Sequence, residues 1–279
     1  MLPVDFINRI QKQLGNSFSE FEHAIQSDSV VNIRLNDKKH FTNSYTNKIP
    51  WCNNGRYLDQ RPVFTLDPLF HAGAFYVQEA SSMLLEQAFK QHVDLTSTLK
   101  VLDLCAAPGG KSTHILSLLN DESVLVSNEI VSNRATILKE NLIKWGNANV
   151  IVTNANPEQF SVHDEMFDVI VIDAPCSGEG LFRKDEGAKV EWSEQHAHAC
   201  SIRQQKILES VLPSLKKGGI LIYSTCTFNP DENENNIQNW VNEFPLECLS
   251  LTLNSEWGVE EINLNNATGY QCWPHKVKG

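Results

Sequence analysis

After residue 99 the sequence alternates between short apolar runs and longer amphipathic stretches, and this alternation constrains the fold more than any other feature. The apolar runs predict five strands, and the stretches between them predict helices. Strands that alternate with helices favour a doubly wound, Rossmann-like α/β sheet whose ligands bind at the carboxyl ends of the strands. The predicted strands are 99–107, 123–129, 149–155, 167–175 and 218–226, and the predicted helices are 111–120, 133–146 and 193–217.

The first 95 residues have a different and less regular pattern. It predicts a helix over 4–14, a strand over 30–36 and, after a loop-rich stretch, a helix over 78–89. We therefore predict a smaller α+β domain over 1–95, which would position the substrate, and a second domain over 96–279. An acidic helix is predicted to begin at Asp231, where negative charge favours a helix N-terminus.

Charge at first argues against a nucleic-acid partner, because the formal net charge of the chain is −11. Residues 231–261 contain eight acidic residues and no Lys or Arg, so −11 minus −8 leaves −3 for the rest of the chain. A local basic groove is therefore compatible with the composition. No apolar run reaches the ~18 residues of a membrane helix and no secretory signal is visible, so we expect a cytoplasmic protein.

The seven cysteines do not form a disulfide or zinc pattern. Their number is odd, none forms a C-x-x-C pair, and no His lies at zinc-finger spacing from them. We expect free thiols and no bound metal, and one or two of these thiols are available for chemistry.

The turn after the first predicted strand could belong to one of three types of ligand site: a P-loop, a dinucleotide site or an S-adenosylmethionine loop. A P-loop requires a glycine where Cys105 stands, and the dinucleotide pattern G-x-G-x-x-G is absent. Small residues and the pair Gly109-Gly110 instead suit an S-adenosylmethionine loop, in which the backbone approaches the cofactor closely. The predicted loop residues are Cys105, Ala106, Ala107, Pro108, Gly109, Gly110 and Lys111.

Polar residues follow the next three strands as well. Glu129 ends the second strand, where a carboxylate would accept both ribose hydroxyls, Asn156 follows the third strand near the expected adenine edge, and Asp173 ends the fourth. Together with the loop after the first strand, these residues place ligand-type groups at four successive strand ends, which is more specific than any one of them. Because the site lacks a cluster of phosphate-binding cations, we favour S-adenosylmethionine over NAD or ATP.

Two cysteines lie at neighbouring strand ends, which suggests covalent chemistry. Cys176 follows the fourth strand and Cys226 the fifth, and adjacent strands lie ~4.8 Å apart. A thiolate that adds to carbon 6 of cytosine makes carbon 5 nucleophilic, and an acid such as Asp173 would promote this addition by protonating N3. A second group would help to expel the enzyme afterwards. A lone strand-end cysteine is more often structural, but two beside an acid favour catalysis.

These motifs resemble those of a known family. The segments DLCAAPGGKST, DAPCSGEGLFRKD and YSTCTFNPDENE are similar to motifs of the Sun/nucleolar-protein family of RNA cytosine-5 methyltransferases, close to bacterial ribosomal RNA methylases of the RsmF type. The resemblance extends through 55–84 and the segment RLN at 34–36, so it covers nearly the whole chain. It implies a class I methyltransferase fold and cytosine-5 methylation of RNA, most plausibly ribosomal RNA, with transfer RNA as the alternative.

The resemblance also implies roles for individual residues. Cys226 would be the nucleophile, Cys176 would aid release, and Lys184 would contact the substrate. The 105–111 segment, Glu129 and Asp173 would hold the cofactor. Two features depart from the family: Asn156 replaces the usual Asp, and the chain stops after WPHKVKG, so we expect the last strand of the sheet and a C-terminal RNA-binding domain to be missing.

Three other functions remain open at this point. A DNA cytosine-5 methyltransferase would use Cys176 as nucleophile and would not need Cys226. A non-catalytic RNA-binding assembly factor would not need to keep both cysteines and the 105–111 segment. A small-molecule methyltransferase would not need the first 95 residues.

Overall fold

The computed structural model describes residues 1–278. They form two compact units, each built from separated segments of the chain. The sheet unit contains 30–173 and 209–223, and the cysteine unit contains 1–29, 174–208 and 224–278.

The chain begins with two helices of the cysteine unit, α1 (Val4–Leu14) and α2 (Phe18–Gln26). The helix α1 has the predicted bounds, because Gly15 follows it with a positive φ that ends the helix. The buried faces of the two helices join an aromatic cluster with residues from later segments of the same unit. Its fully or nearly buried members are Leu2, Phe6, Ile10, Phe21, Ile25, Phe182, Trp192, Phe228 and Trp273.

The sheet unit opens with a small antiparallel sheet in the order β2-β1-β3. Its strands are β1 (Val31–Leu35), β2 (Gly55–Leu58) and β3 (Phe75–Val77). A one-turn helix, α3 (Pro68–His71), precedes β3, and α4 (Leu85–His92) follows it after a 3₁₀ turn.

The main sheet of this unit is parallel and has five strands in the order β6-β5-β4-β7-β8. The strand β7 is buried along almost its whole length, which explains its near-continuous apolar sequence. The order reverses between β4 and β7, and such a switch point is where doubly wound sheets bind ligands. The strands are β4 (Lys100–Asp103), β5 (Val124–Asn128), β6 (Val150–Thr153), β7 (Phe167–Asp173) and β8 (Leu215–Ser224).

Two helices connect the first three of these strands, α5 (Gly110–Leu118) and α6 (Ser132–Trp145). The buried residues of α6 recur at helical spacing, which packs one face of the helix on the core. Gly146 ends α6 in the left-handed conformation that glycine adopts most readily.

The later part of the chain contributes three helices and a hairpin. The helices are α7 (Glu186–Glu191), α8 (Glu194–Val211) and α9 (Glu234–Glu243). The hairpin consists of β9 (Glu260–Leu264) and β10 (Ala267–Gln271), which pair antiparallel with each other. The sequence pattern did not predict this hairpin.

Some predicted bounds were wrong. The long helix predicted over 193–217 ends at Val211, because Pro213 lacks the N–H that a continuing helix needs, and a 3₁₀ turn at Leu212–Ser214 follows. The fifth strand therefore begins at Leu215 rather than 218. The acidic helix begins at Glu234, after a 3₁₀ turn that contains Asp231.

The predicted α/β class with a doubly wound sheet is confirmed, and an α+β segment precedes that sheet. The domain boundary at residue 96 stays a prediction. None of the helices in residues 1–278 is long and apolar enough to cross a membrane.

Candidate active site

The predicted cofactor loop leaves the carboxyl end of β4 in the sheet unit. Its backbone is tied to the next strand, because Ala106 N–H donates to Asn128 O at 2.8 Å. Gly109 has φ 109°, and a Cβ there would lie 3.2 Å from the Leu138 side chain. The backbone conformation of this turn and the closeness of Leu138 therefore require glycine at position 109.

Three side chains, on β3 and α6, hold the carbonyl groups of this loop. Arg134 donates to Ala107 O at 2.9 Å. Tyr76 and Asn141 donate to Pro108 O at 3.1 Å and 2.8 Å. The carbonyl groups of Ala107 and Pro108 are thus fixed by side-chain donors.

Arg34 fixes the start of α5, where the loop ends. Its guanidinium is buried and donates to Thr113 Oγ1 at 2.6 Å and to Gly110 O at 3.4 Å. It also stacks on the Trp145 ring, 4.4 Å from the ring centroid. Burial lowers the pKa of Arg34 to about 10, so the group stays charged at neutral pH. Sequence reasoning placed this residue only within a family segment.

The acid at the end of β4 is the residue that sequence reasoning missed. Asp103 is fully buried, and Ser112 Oγ donates to it at 2.6 Å. Its pKa is raised to about 7, chiefly by burial; the neighbouring Asp173 and Glu129 act in the same direction, and the Ser112 hydrogen bond and Lys111 act against it. Its Oδ1 has no hydrogen-bond partner within residues 1–278. The signal was available, since an acid interrupts an apolar strand here.

The two acids predicted at the strand ends have different partners. Glu129 is buried; its Oε1 accepts from Val131 N–H at 2.9 Å and its Oε2 lies 3.5 Å from Arg134 Nη1. Asp173 is more exposed and forms an ion pair with Lys111, with Oδ2 and Nζ 2.7 Å apart. The structure brings Lys111, Glu129 and Asp173 to the carboxyl edge of one sheet.

Asn156 has a structural role that the sequence did not reveal. Its side chain accepts from Glu158 N–H at 3.2 Å, and Gln159 Oε1 accepts from Asn156 N–H at 2.8 Å. This reciprocal pair caps the 3₁₀ turn Pro157–Phe160. The residue is exposed beyond the end of β6, and its contact with a cofactor stays a prediction.

The polar groups at this edge of the sheet fit an adenosyl cofactor that carries no phosphate. Lys111, the cation that a P-loop would aim at phosphate, is paired with Asp173. Arg34 donates to Gly110 O in the loop itself, and Arg134 contacts Ala107 O and Glu129. What remains is a set of carboxylates and backbone groups around a glycine turn, and carboxylates bind ribose hydroxyls.

The two predicted reactive thiols lie together in the cysteine unit. The Sγ atoms of Cys176 and Cys226 are 3.2 Å apart, and Cys226 N–H donates to Cys176 Sγ at 3.3 Å. Cys226 is exposed and Cys176 is half-buried. The neighbouring Cys226 sulfur, together with burial, raises the pKa of Cys176 well above its usual value. A raised pKa favours the protonated form of Cys176.

The chain around this pair is tightly constrained. Gly180 N–H donates to Cys226 O at 2.7 Å, and a Cβ at Gly180 would lie 2.7 Å from the same oxygen. Glu179, also buried, accepts from Phe228 N–H and Trp192 Nε1–H, both at 3.0 Å, and pairs with Arg9 at 2.5 Å. The segment G-E-G thus fixes the backbone of the Cys226 loop. Lys184, the predicted substrate contact, is exposed in the same unit.

One further cluster in the described residues could geometrically hold a metal ion. Cys52, Glu86 and His114 are buried in the sheet unit with potential ligand atoms within 4.8 Å of one another. Burial, with Arg34 nearby, lowers the pKa of His114 to about 4, so its neutral Nε2–H donates to Glu86 at 3.0 Å. Lys90 neutralises the same carboxylate at 2.5 Å. Nδ1 of His114 is buried and has no hydrogen-bond partner within residues 1–278, and the prediction that no metal is bound stays a prediction.

The parallel sheet with its switch point, the glycine turn and the strand-end acids define a class I methyltransferase fold. A family model described as 16S rRNA methyltransferase RsmB/F matches residues 91–279, and one for the N-terminal domain of 16S rRNA methyltransferase RsmF matches 2–80. The chain belongs to this RsmB/F family. S-adenosylmethionine is the cofactor of this class, and the residues at the sheet edge fit it.

Curated relatives agree with this assignment. Ribosomal RNA small subunit methyltransferase F of Pectobacterium atrosepticum is 36% identical over 267 residues, covering 88% of this chain and 54% of the relative. The protein of that name from Escherichia coli O9:H4 is 35% identical over 249 residues, covering 83% and 52%. The chain thus spans about half the length of these relatives. A crystal structure of a methyltransferase homologue from Pyrococcus horikoshii is 26% identical, with TM-score 0.69 and coverage of 95% of this chain and 86% of that one.

Proposed function

We propose that this chain transfers a methyl group from S-adenosylmethionine to carbon 5 of a cytosine in ribosomal RNA. The observation that carries the proposal is the pair of thiols, Cys176 and Cys226, with sulfur atoms 3.2 Å apart. Cytosine-5 methylation needs a nucleophile and then a way to remove it, and two adjacent thiols, one exposed and one half-buried, can supply both. The names of the curated relatives support ribosomal RNA of the small subunit as the substrate.

In this proposal Cys226 is the nucleophile, because it is the more exposed thiol and the raised pKa of Cys176 favours the protonated form of that second thiol. The Cys226 thiolate adds to carbon 6, and the electron pair moves into the ring so that carbon 5 can attack an electrophile. S-adenosylmethionine supplies the methyl group as that electrophile. Once carbon 5 has lost its proton to a base, the bond between carbon 6 and sulfur breaks and Cys226 leaves as a thiolate.

Cys176 is placed to assist the last step. Its sulfur lies within hydrogen-bond distance of the Cys226 sulfur and can donate the S–H proton to the departing thiolate. Without Cys176 the leaving thiolate is less stabilised, so release of the product should slow more than attack.

Asp173 and Lys111 form the proposed proton source for N3 of the base. An Asp173 carboxylate that is paired with Lys111 accepts hydrogen bonds and must itself take up a proton before it can donate one. The Lys111 ammonium, 2.7 Å away, is the group that holds such a proton. We further propose that residues 105–111, Glu129, Asn156 and Asp173 bind the cofactor and that Lys184 contacts the RNA.

The proposal includes the 1–95 segment as the RNA-positioning domain, a target cytosine that is single-stranded or flipped out of its stack, and a cytoplasmic location. The test is methyl transfer from labelled S-adenosylmethionine to small ribosomal subunits, to naked small-subunit RNA and to transfer RNA, with bisulfite sequencing of each. A 5-methylcytosine in ribosomal RNA that depends on Cys226 supports the proposal. Label only in transfer RNA favours the transfer RNA alternative, and binding of RNA with no methylation favours the assembly factor.

A further inference from the structure

A buried acid in the cysteine unit contacts the loop that carries Cys176. Glu232 is fully buried at the end of the 3₁₀ turn Pro230–Glu232. Its Oε2 accepts from Ser177 N–H at 2.9 Å and its Oε1 accepts from Ser177 Oγ at 2.5 Å. One carboxylate thus holds both the backbone and the side chain of the residue that follows Cys176.

The residue before Cys176 is held by the same network. Gln204 donates through Nε2 to Glu232 Oε2 and to Pro175 O, at 3.0 Å each. Asn236 in turn donates to Gln204 Oε1 at 2.9 Å, which fixes the orientation of the amide. The two residues that flank Cys176 are therefore both tied to Glu232, directly or through one side chain.

The network continues to the other thiol loop. Ser177 Oγ lies 2.9 Å from Thr227 Oγ1, and Thr227 follows Cys226 directly. Because the Ser177 hydroxyl gives its only hydrogen to Glu232, it accepts the hydrogen of Thr227. The order of donors is fixed from Thr227 through Ser177 to the carboxylate.

From these contacts we propose that Glu232 is a positioning residue that sets the separation of the Cys176 and Cys226 sulfur atoms. It acts through Ser177, Gln204 and Thr227. The inference rests on the proposed function, in which the two thiols work as a pair, and it assigns the residue that keeps them paired.

The hydrogen-bonding capacity of the Glu232 carboxyl suits this role. Burial raises the pKa of Glu232 overall, and its hydrogen bonds to Ser177 and Gln204 offset part of that rise. An ionised carboxylate can accept all three hydrogens that face it, whereas an amide in the same place has one oxygen and must turn its NH₂ toward another donor. Glu232→Gln should therefore break at least one contact to Ser177 without removing volume.

Loss of these contacts should change the pKa of Cys226, because a thiol that donates a hydrogen bond to a neighbouring thiolate stabilises that thiolate. If the sulfur atoms move apart, the Cys226 thiolate loses this donor and its pKa rises. A rise of one unit makes alkylation at neutral pH roughly tenfold slower.

The test is the pH dependence of iodoacetamide alkylation of Cys226, followed by mass spectrometry of its peptide in the full chain without RNA or cofactor. We expect the midpoint to rise by about one pH unit in Glu232→Gln, and also in Ser177→Ala, which removes a single hydroxyl. The matched control is Glu86→Gln, since Glu86 is a comparably buried acid of the sheet unit that contacts Cys52 and His114.

Unchanged midpoints in folded Glu232→Gln and Ser177→Ala would overturn the proposal. An equal shift in Glu86→Gln would also overturn it, because the effect would then follow general destabilisation. The assay needs no methyl transfer. The role of Glu232 can therefore be judged from the alkylation midpoints even if the proposed RNA methylation is not found.

Discussion

Gly180 lies against the carbonyl oxygen of Cys226, and a Cβ at this glycine would lie 2.7 Å from that oxygen. Real Cβ atoms do not approach a backbone oxygen so closely, so the loop that carries Cys226 has its present path only while residue 180 is glycine. The glycine also donates its N–H to the same oxygen at 2.7 Å.

We therefore expect Gly180→Ala to displace Cys226 and to lower the methylation rate by at least tenfold, with little change in the affinity for S-adenosylmethionine. The control is Gly269→Ala in β10, where a Cβ meets nothing within 4 Å. Rates of methyl transfer and calorimetry of cofactor binding check this. Full activity in Gly180→Ala would show that the position of the Cys226 carbonyl does not matter.

Asp103 makes stability depend on pH. Its folded-state pKa of about 7 lies above the unfolded value near 3.8, so the folded chain binds more protons between these pH values. The stabilising contribution is complete below about pH 4 and is lost as the pH rises toward 7, at up to about 1.4 kcal/mol per pH unit.

Asp103→Asn should remove this slope, because an amide does not ionise. Urea unfolding at a series of pH values measures it. The difference in unfolding free energy between variant and parent should move in favour of the variant as the pH rises from 4 to 8. A difference that is independent of pH would contradict the raised pKa.

We expect Arg34 to maintain the conformation of the cofactor loop. Arg34→Lys keeps the charge but removes the planar fork that reaches Gly110, Thr113 and Gln78 at once. We expect affinity for S-adenosylmethionine to fall about tenfold, on the order of 1.4 kcal/mol, as calorimetry would show. Lys38→Ala is the control, since it removes only an exposed ion pair with Asp121. Equal affinities in the Arg34→Lys variant and the parent would mean that the loop keeps its shape unaided.

Asn156→Asp should leave the cap intact, because aspartate accepts the Glu158 N–H as asparagine does and favours a helix N-terminus. If Asn156 also contacts the cofactor, the carboxylate should bind it at least as well. Asn156→Ala should lose the cap, at a cost of about 1 kcal/mol in unfolding free energy. A large loss of cofactor affinity in Asn156→Asp would refute the proposed contact.

The sequence predicted the sheet because apolar runs and strand-end acids are local signals. The sequence pattern predicted a helix that extends beyond the end of α8, because Leu212 and Leu215 continue the apolar spacing of the helix. Pro213, which lacks an N–H, instead determines where the helix ends. The site was predictable where a residue type itself carries chemistry, as at Cys226. Glu232 was not, since its role depends on Ser177, 55 residues away in the chain.

The central claim is that Cys226 attacks the base and Cys176 releases it. The most direct measurement is covalent capture of RNA on a denaturing gel, with parent, Cys176→Ala, Cys226→Ala and the double variant incubated with substrate RNA and S-adenosylmethionine. We expect a nuclease-sensitive slow band in Cys176→Ala alone, and no methylation in Cys226→Ala. A band in Cys226→Ala and none in Cys176→Ala would contradict the account and make Cys176 the nucleophile.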